Sequence, residues 1–325
     1  MTDVVTADHD LRIDGPSAVT IGKFDGVHVG HQAVIDETVR SAGEIAGASV
    51  VISMWPHPAT VLAPDVEIRL LTNLEDRIDL LALREPNYVR VEEFDVQFAA
   101  QRADDYVLLL RDTLGMKWLV LGADARLGRD RHAGIEEITE ITRRLGVRLK
   151  VVDAVRSGGP VGSALVKRAY SEGDLAAAVK FLGRLPSYKG LVERGDGRGR
   201  DLGFPTANIA VSPELVLPAP GIYRGSAVIA DDTGRGHLPA VINLGTRPTF
   251  HEGGDLVLEV HLLDFDEDVY GCKMRVFFED SIRPEAKFSS EAELIDAIHG
   301  DIAAAVALPE KSDRLYEPWG GTVRT

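Results

Sequence analysis

The hydrophobic pattern of the chain changes period at Leu185-Pro186, and that change constrains the architecture more than anything else in the sequence. Upstream, short apolar runs at 18–21, 49–54, 88–91, 118–121 and 148–152 alternate with helix-spaced stretches at 30–46, 73–84, 103–114 and 135–145. Residues 163–183 read as one or two closing helices. Alternation of this kind needs crossover connections, and so predicts a parallel sheet covered by helices. Downstream, β-rich runs at 190–193, 221–229, 238–242, 256–263 and 274–278 are separated by turn residues, the pattern of a small antiparallel barrel. A helix is expected at about 290–306, capped by Ser289 or Ser290 with Glu291 and Glu293 in its first turn, and Asn73 is the expected cap of 73–84. The expected division is therefore an N-terminal segment 1–17, an α/β domain 18–184, a barrel domain 185–307 and a polar tail 308–325 that is a candidate for disorder.

Composition narrows the function. A chain of 325 residues accommodates two domains of about 150 each. With 51 acidic and 36 basic residues the net charge is −15, which opposes general binding to nucleic acid. One cysteine, Cys272, excludes an internal disulfide and fits a reducing cytoplasm. No apolar run approaches the about 20 residues that span a bilayer, and the acidic start lacks a signal-peptide core. The expectation is a cytoplasmic protein with no nucleic-acid or membrane partner, monomeric or a weak homo-oligomer. Trp55, Trp118 and Trp319 read as packing residues.

Two segments carry chemistry. GKFDGVHVGHQ, residues 22–32, follows an expected strand and enters an expected helix. His28 and His31 then sit at a helix start, beside free backbone N–H groups and the positive dipole end, where a triphosphate would bind. Gly26 and Gly30 remove side chains where backbone must approach phosphate. Nucleotidyl transfer needs such donors, to neutralise charge on the α-phosphate and the leaving pyrophosphate.

The second segment is RGDGRGRDLGFPTANI, residues 194–209. Its glycines at 195, 197, 199 and 203 let amides reach phosphate, and Arg198 and Arg200 add positive charge. Thr206 and Asn208 offer the hard oxygens that suit Mg2+.

The first segment resembles the signature of HxGH nucleotidyltransferases, and is similar to that of prokaryotic bifunctional riboflavin kinase/FAD synthetases. The second closely resembles the riboflavin kinase signature, as do APGIYRG (219–225), NLGTRPTF (243–250), LEVHLLDF (258–265), VYG (269–271) and IRPEAKF (282–288). The resemblance implies a Rossmann-like α/β nucleotidyltransferase domain followed by an antiparallel β-barrel kinase domain with a C-terminal helix. It implies riboflavin, FMN and ATP as substrates and Mg2+ as cofactor.

By the same resemblance Gly22, Phe24, Asp25 and the WPHP residue His57 belong to the first nucleotide site, with Asp124, Ser163 and Lys167. Glu259 becomes the candidate base toward the ribityl hydroxyl, with Phe204, Pro205, Arg283 and Phe288 at the flavin; His261 reads as structural. The chain also departs from the family. Asp124-Ala125-Arg126-Leu127-Gly128 stands where the family has DFRFG, losing both rings, and Gly162–Lys167 retains one hydroxyl of a Ser-Ser-Thr-x-Ile-Arg run and replaces its arginine. Lysine lacks the bidentate fork of arginine. The first module is thus open to three readings: an FMN adenylyltransferase with a repacked site, a module that transfers another nucleotide (for example from CTP) or acts on another flavin, or an inactive module retained for folding or regulation.

Overall fold

The computed structural model describes residues 2–6, 11–156, 159–195, 197–230, 236–247, 255–309, 311 and 323–324, the side chains of 198, 201, 247, 255, 323 and 324 excepted. Two compact units emerge: Met1–Ser163 with Gly320–Thr325, and Ala164–Trp319.

The first unit is built on strands β1 (Thr2–Val5), β2 (Ser17–Gly22), β3 (Ala48–Trp55), β4 (Tyr88–Glu93), β5 (Met116–Gly122) and β6 (Arg148–Val152). With β13 (Val323–Arg324) they form a parallel sheet in the order β13-β1-β4-β3-β2-β5-β6. Alternate residues feed opposite faces. Val50 and Ile52 pack under α5 (Ala103–Leu114) and α6 (Ile135–Leu145), through Tyr106, Val107, Leu110 and Ile138. Val51 and Val89 pack instead against Ile35 of α1 (Val29–Glu44) and Leu80 and Leu81 of α3 (Leu74–Ala82). Asn73 caps α3 by accepting from the Asp76 amide at 2.8 Å. From β2 the chain crosses to β3 on one side, while β5 leads to β6 on the other. The carboxyl ends of β2 and β5 therefore flank the topological switch point, where open α/β sheets bind ligands.

In the second unit, α7 (Ser163–Ser171), which starts at the unit boundary, and α8 (Leu175–Leu182) precede a closed barrel. Its strands are β7 (Ser187–Glu193), β8 (Ala207–Ile209), β9 (Gly221–Ile229), β10 (Leu238–Arg247), β11 (Asp255–Leu262) and β12 (Lys273–Pro284), in the order β10-β11-β8-β7-β12-β9. Ala240, Ile242, Leu244, Leu258, Val260, Met274, Val276 and Phe278 fill the interior. On the outer face, Ile302 and Ala305 of α10 (Glu291–Ala307) cover Ile222 and Val241. Ser290 caps α10, and Ser289 bonds the Glu293 carboxylate.

Candidate active sites

The first site begins where β2 stops. Phe24 and Val27 take left-handed backbone at φ 51° and 37°, which favours glycine. Such strain costs of order 1–3 kcal/mol per residue. It is offset here because both side chains are driven into the apolar cluster of Ile35, Val51 and Leu81. Gly26, at φ 78°, admits no side chain: a Cβ there would lie 2.6 Å from Leu71 Cδ1. Asp25 is buried and accepts from the amides of Leu71 (2.8 Å) and Thr72 (3.2 Å), while the Gly26 amide donates to Thr72 Oγ1 at 3.1 Å. The Arg77 guanidinium stands 3.7 Å from Asp25 Oδ1 and 5.0 Å from the Trp55 ring centroid. The Ser163 hydroxyl donates to the Asp25 carbonyl at 2.9 Å, so this hydroxyl clasps the loop. Lys167 follows one turn later on α7, in the second compact unit.

That clamped loop presents the histidines. His28 is the N-cap of α1, and its Nδ1 accepts the His31 amide at 3.3 Å. Accepting at Nδ1 assigns the proton of the neutral ring to Nε2, as a donor. The two imidazoles stack at 3.7 Å with a 19° tilt, and Phe24 meets His31 edge-on at 5.2 Å. A Cβ at Gly30 would lie 3.2 Å from the His28 ring and crowd it; Gly22 packs close under the Phe24 ring in the same way. His57, in the loop after β3, repeats the device: its Nδ1 caps the five-residue helix α2 (Pro58–Leu62) through the Ala59 amide at 3.2 Å. Asp124 is exposed after β5, and Ala125 and Leu127 pack against the α5/α6 cluster. The positions that lost aromatic rings thus contribute to core packing.

The second site lies on the outer face of the barrel. Glu259 on β11 is paired across the sheet with Asn208 of β8 on one side and Asn243 of β10 on the other. In-register residues share a face, so the three polar side chains form one half-buried row. Asn243 Nδ2 donates to Glu259 Oε2 at 3.1 Å. The glycine segment folds over this row. A Cβ at Gly195 would lie 2.3 Å from Asn208 Nδ2, and one at Gly199 would lie 3.2 Å from Thr206 Oγ1. The Phe204 amide closes the turn onto the Gly199 carbonyl at 2.7 Å, with Gly203 at φ 89° before it. Arg200 is exposed on this turn; Arg198 opens the short helix Arg198–Asp201, and its side chain lies outside the described residues.

Phe204 meets His299 of α10 edge-on at 5.1 Å and His261 at 6.0 Å, while His261 Nδ1 lies 2.8 Å from the Pro205 carbonyl. Arg283 makes a bidentate pair with Asp301 of α10, at 2.8 and 2.7 Å, and lies 5.5 Å from the Phe288 ring. Its charge is therefore already engaged within this unit. Among the described residues no group of three or more His, Cys, Asp or Glu is placed to hold a metal ion. Thr206 and Asn208 instead present a hydroxyl and an amide oxygen beneath the glycine turn, a donor set that fits Mg2+ completed by phosphate oxygens.

Sequence reasoning did not identify Arg77, Asn243 or His299. Arg77 lies in a polar-looking helical stretch with no sign of burial, and His299 is an isolated residue on a helix. Asn243 did carry a signal: a polar residue between Ile242 and Leu244 faces away from the barrel core. Trp55 and Trp118 carry cations over their rings, and Trp319 lies outside the described residues.

Residues 11–164 match the FAD synthetase family and residues 182–308 the riboflavin kinase family. A bifunctional riboflavin kinase/FMN adenylyltransferase from Listeria monocytogenes is 33% identical over 296 residues, covering 90% of this chain and 92% of its own. The protein of the same description from Escherichia coli is 35% identical over 279 residues, covering 85% and 87%. A solved structure described as a macrolide-efflux protein from Streptococcus pneumoniae superposes with a TM-score of 0.84 at 26% identity, covering 94% of this chain and 99% of its own. Among the described residues no helix is long and apolar enough to cross a membrane.

Proposed function

The chain belongs to the bifunctional riboflavin kinase/FMN adenylyltransferase family, and from that membership we propose how its residues divide the two reactions. The enzyme phosphorylates riboflavin to FMN and adenylylates FMN to FAD, releasing pyrophosphate. We assign adenylyl transfer to the module 18–184 and phosphoryl transfer to 185–307.

In the barrel, Glu259 accepts the proton of the ribityl 5′-hydroxyl as that oxygen attacks the γ-phosphorus of ATP and the bond to the β,γ-bridging oxygen breaks, releasing ADP. The glycines at 195, 197, 199 and 203 hold the phosphates through backbone amides, and Arg198 and Arg200 add positive charge. Thr206 and Asn208 would hold Mg2+, which neutralises charge spreading over the transferred phosphoryl group. Phe204, Pro205 and Phe288 line the flavin end, and Arg283 orders it through Asp301. In the α/β module, His28 and His31 donate to the α-phosphate and the departing pyrophosphate at the start of α1. His57, Asp124 and Ser163 complete the nucleotide surface, with Gly22, Phe24, Asp25, Gly26 and Gly30 shaping its loop.

The single observation that carries this reading is the register that sets Glu259 directly beside Asn208 beneath the glycine turn. An intact histidine stack supports adenylyl transfer despite the departures at Ala125 and Leu127, whose side chains serve the core. The test is to supply FMN with each of the four common nucleoside triphosphates and identify flavin products by mass. FAD from ATP is expected; a dinucleotide from CTP alone, or none, would overturn the assignment.

A further inference from the structure

We propose that Asn243 is the positioning residue for phosphoryl transfer, holding one oxygen of Glu259 so that the other faces the substrate hydroxyl. The proposal rests on the reading of Glu259 as the base. Three observations carry it. Asn243 and Glu259 are direct partners across β10 and β11, and the amide Nδ2 donates to Oε2 at 3.1 Å. With Oε2 engaged, Oε1 is the oxygen available for the proton. Both residues are half-buried on the outer face, where a free glutamate would sample several rotamers. The flanking Ile242, Leu244, Leu258 and Val260 are fully buried in the interior, so neither backbone position can rotate away.

An amide suits this task. It donates without carrying charge and at every pH. A lysine would pair with the carboxylate and weaken it as a base, and an aspartate would repel it. The pair is therefore preorganised before substrate arrives, and preorganisation of a reacting group is expressed in kcat.

The experiment compares Asn243→Ala, Asn243→Asp, Glu259→Gln and the double variant Asn243→Ala/Glu259→Gln in the full chain. FMN formation is followed at varied riboflavin and Mg-ATP, with hydrogen exchange in β10 and β11 as the check on folding. Asn243→Ala should lower kcat about tenfold or more, as expected for losing a hydrogen bond to a charged group, with both KM values within about twofold. Asn243→Asp, though isosteric, should lose more than Asn243→Ala. The double variant should be no slower than Glu259→Gln alone, because Asn243 acts only through the carboxylate. A raised KM with kcat intact, an aspartate milder than alanine, or a double variant showing the product of the two single losses would overturn the proposal. Full activity in Glu259→Gln would instead overturn the base assignment on which it rests, an outcome told apart by that single variant.

Discussion

Asp25 and Arg77 form a buried ion pair, 3.7 Å between Oδ1 and Nη2, with the arginine side chain fully enclosed and the carboxylate nearly so. Burial lowers the Arg77 pKa to about 10, with Asp25 pushing it back up. The group is thus charged at neutral pH. Its proton is shed by the native state before the unfolded one, so this group makes stability rise only as pH climbs above about 10 and leaves it level between pH 6 and 9.

Removing one partner of such a pair strands the other charge, so Arg77→Ala should destabilise the first unit by about 3–5 kcal/mol. Chemical denaturation followed by hydrogen exchange locates the loss. Protection should fall in α1, α3 and β3 and stay unchanged in β9, β10 and β12. Unchanged stability would show that Asp25 is held by the Leu71 and Thr72 amides alone.

How far the sequence could be read follows from which signals are local. The helices Ala103–Leu114 and Ile135–Leu145 and the strands Arg148–Val152 and Gly221–Ile229 lie at the residues expected, because apolar spacing and glycine stops are local. Strand β1 escaped notice inside an acidic N-terminal segment, since four residues at a sheet margin carry little hydrophobic pattern. Its partner Val323–Arg324 falls in a tail expected to be disordered, and a two-residue strand leaves no trace in composition. Strand β8 was hidden within the signature, because three residues, Ala207–Ile209, are too few to show a strand's alternation. Likewise His28 and His31 were legible from spacing, whereas the Asp25–Arg77 pair and the Ser163 clasp join residues far apart in the chain. Ala125 and Leu127, which stand where the family motif has aromatic rings, rest on the core in the fold.

Glycine positions in the kinase turn separate two physical roles. At Gly195 the limit is space, since a Cβ would strike the Asn208 amide at 2.3 Å. At Gly197 there is room among the described residues, but φ is 76°. Gly197→Ala should therefore cost only about 1–2 kcal/mol of backbone strain and retain most kinase activity. Gly195→Ala should displace Asn208 and raise the Mg2+ concentration needed for half-maximal FMN formation. A Mg2+ titration of both variants decides; equal, unshifted curves would remove Asn208 from the metal site.

Arg283 and Asp301 tie α10 to β12 with two charge-assisted bonds. Arg283→Ala should weaken that anchorage by about 1.5–3 kcal/mol and raise KM for riboflavin, because His299 on α10 packs against Phe204. Arg283→Lys should rescue poorly, as lysine cannot form the paired bonds. Hydrogen exchange in α10 measures the anchorage. Unaltered exchange with a raised KM would place Arg283 directly on the flavin.

The central claim is that one chain carries two separable reactions, with Glu259 serving one and the stacked histidines the other. It is tested most directly by mass analysis of flavins formed by Glu259→Gln and His31→Ala from riboflavin or FMN with Mg-ATP. The account predicts that Glu259→Gln makes almost no FMN from riboflavin yet converts supplied FMN to FAD at the parent rate, while His31→Ala accumulates FMN and makes little FAD. Loss of both products in either variant, or normal FMN formation by Glu259→Gln, would contradict it.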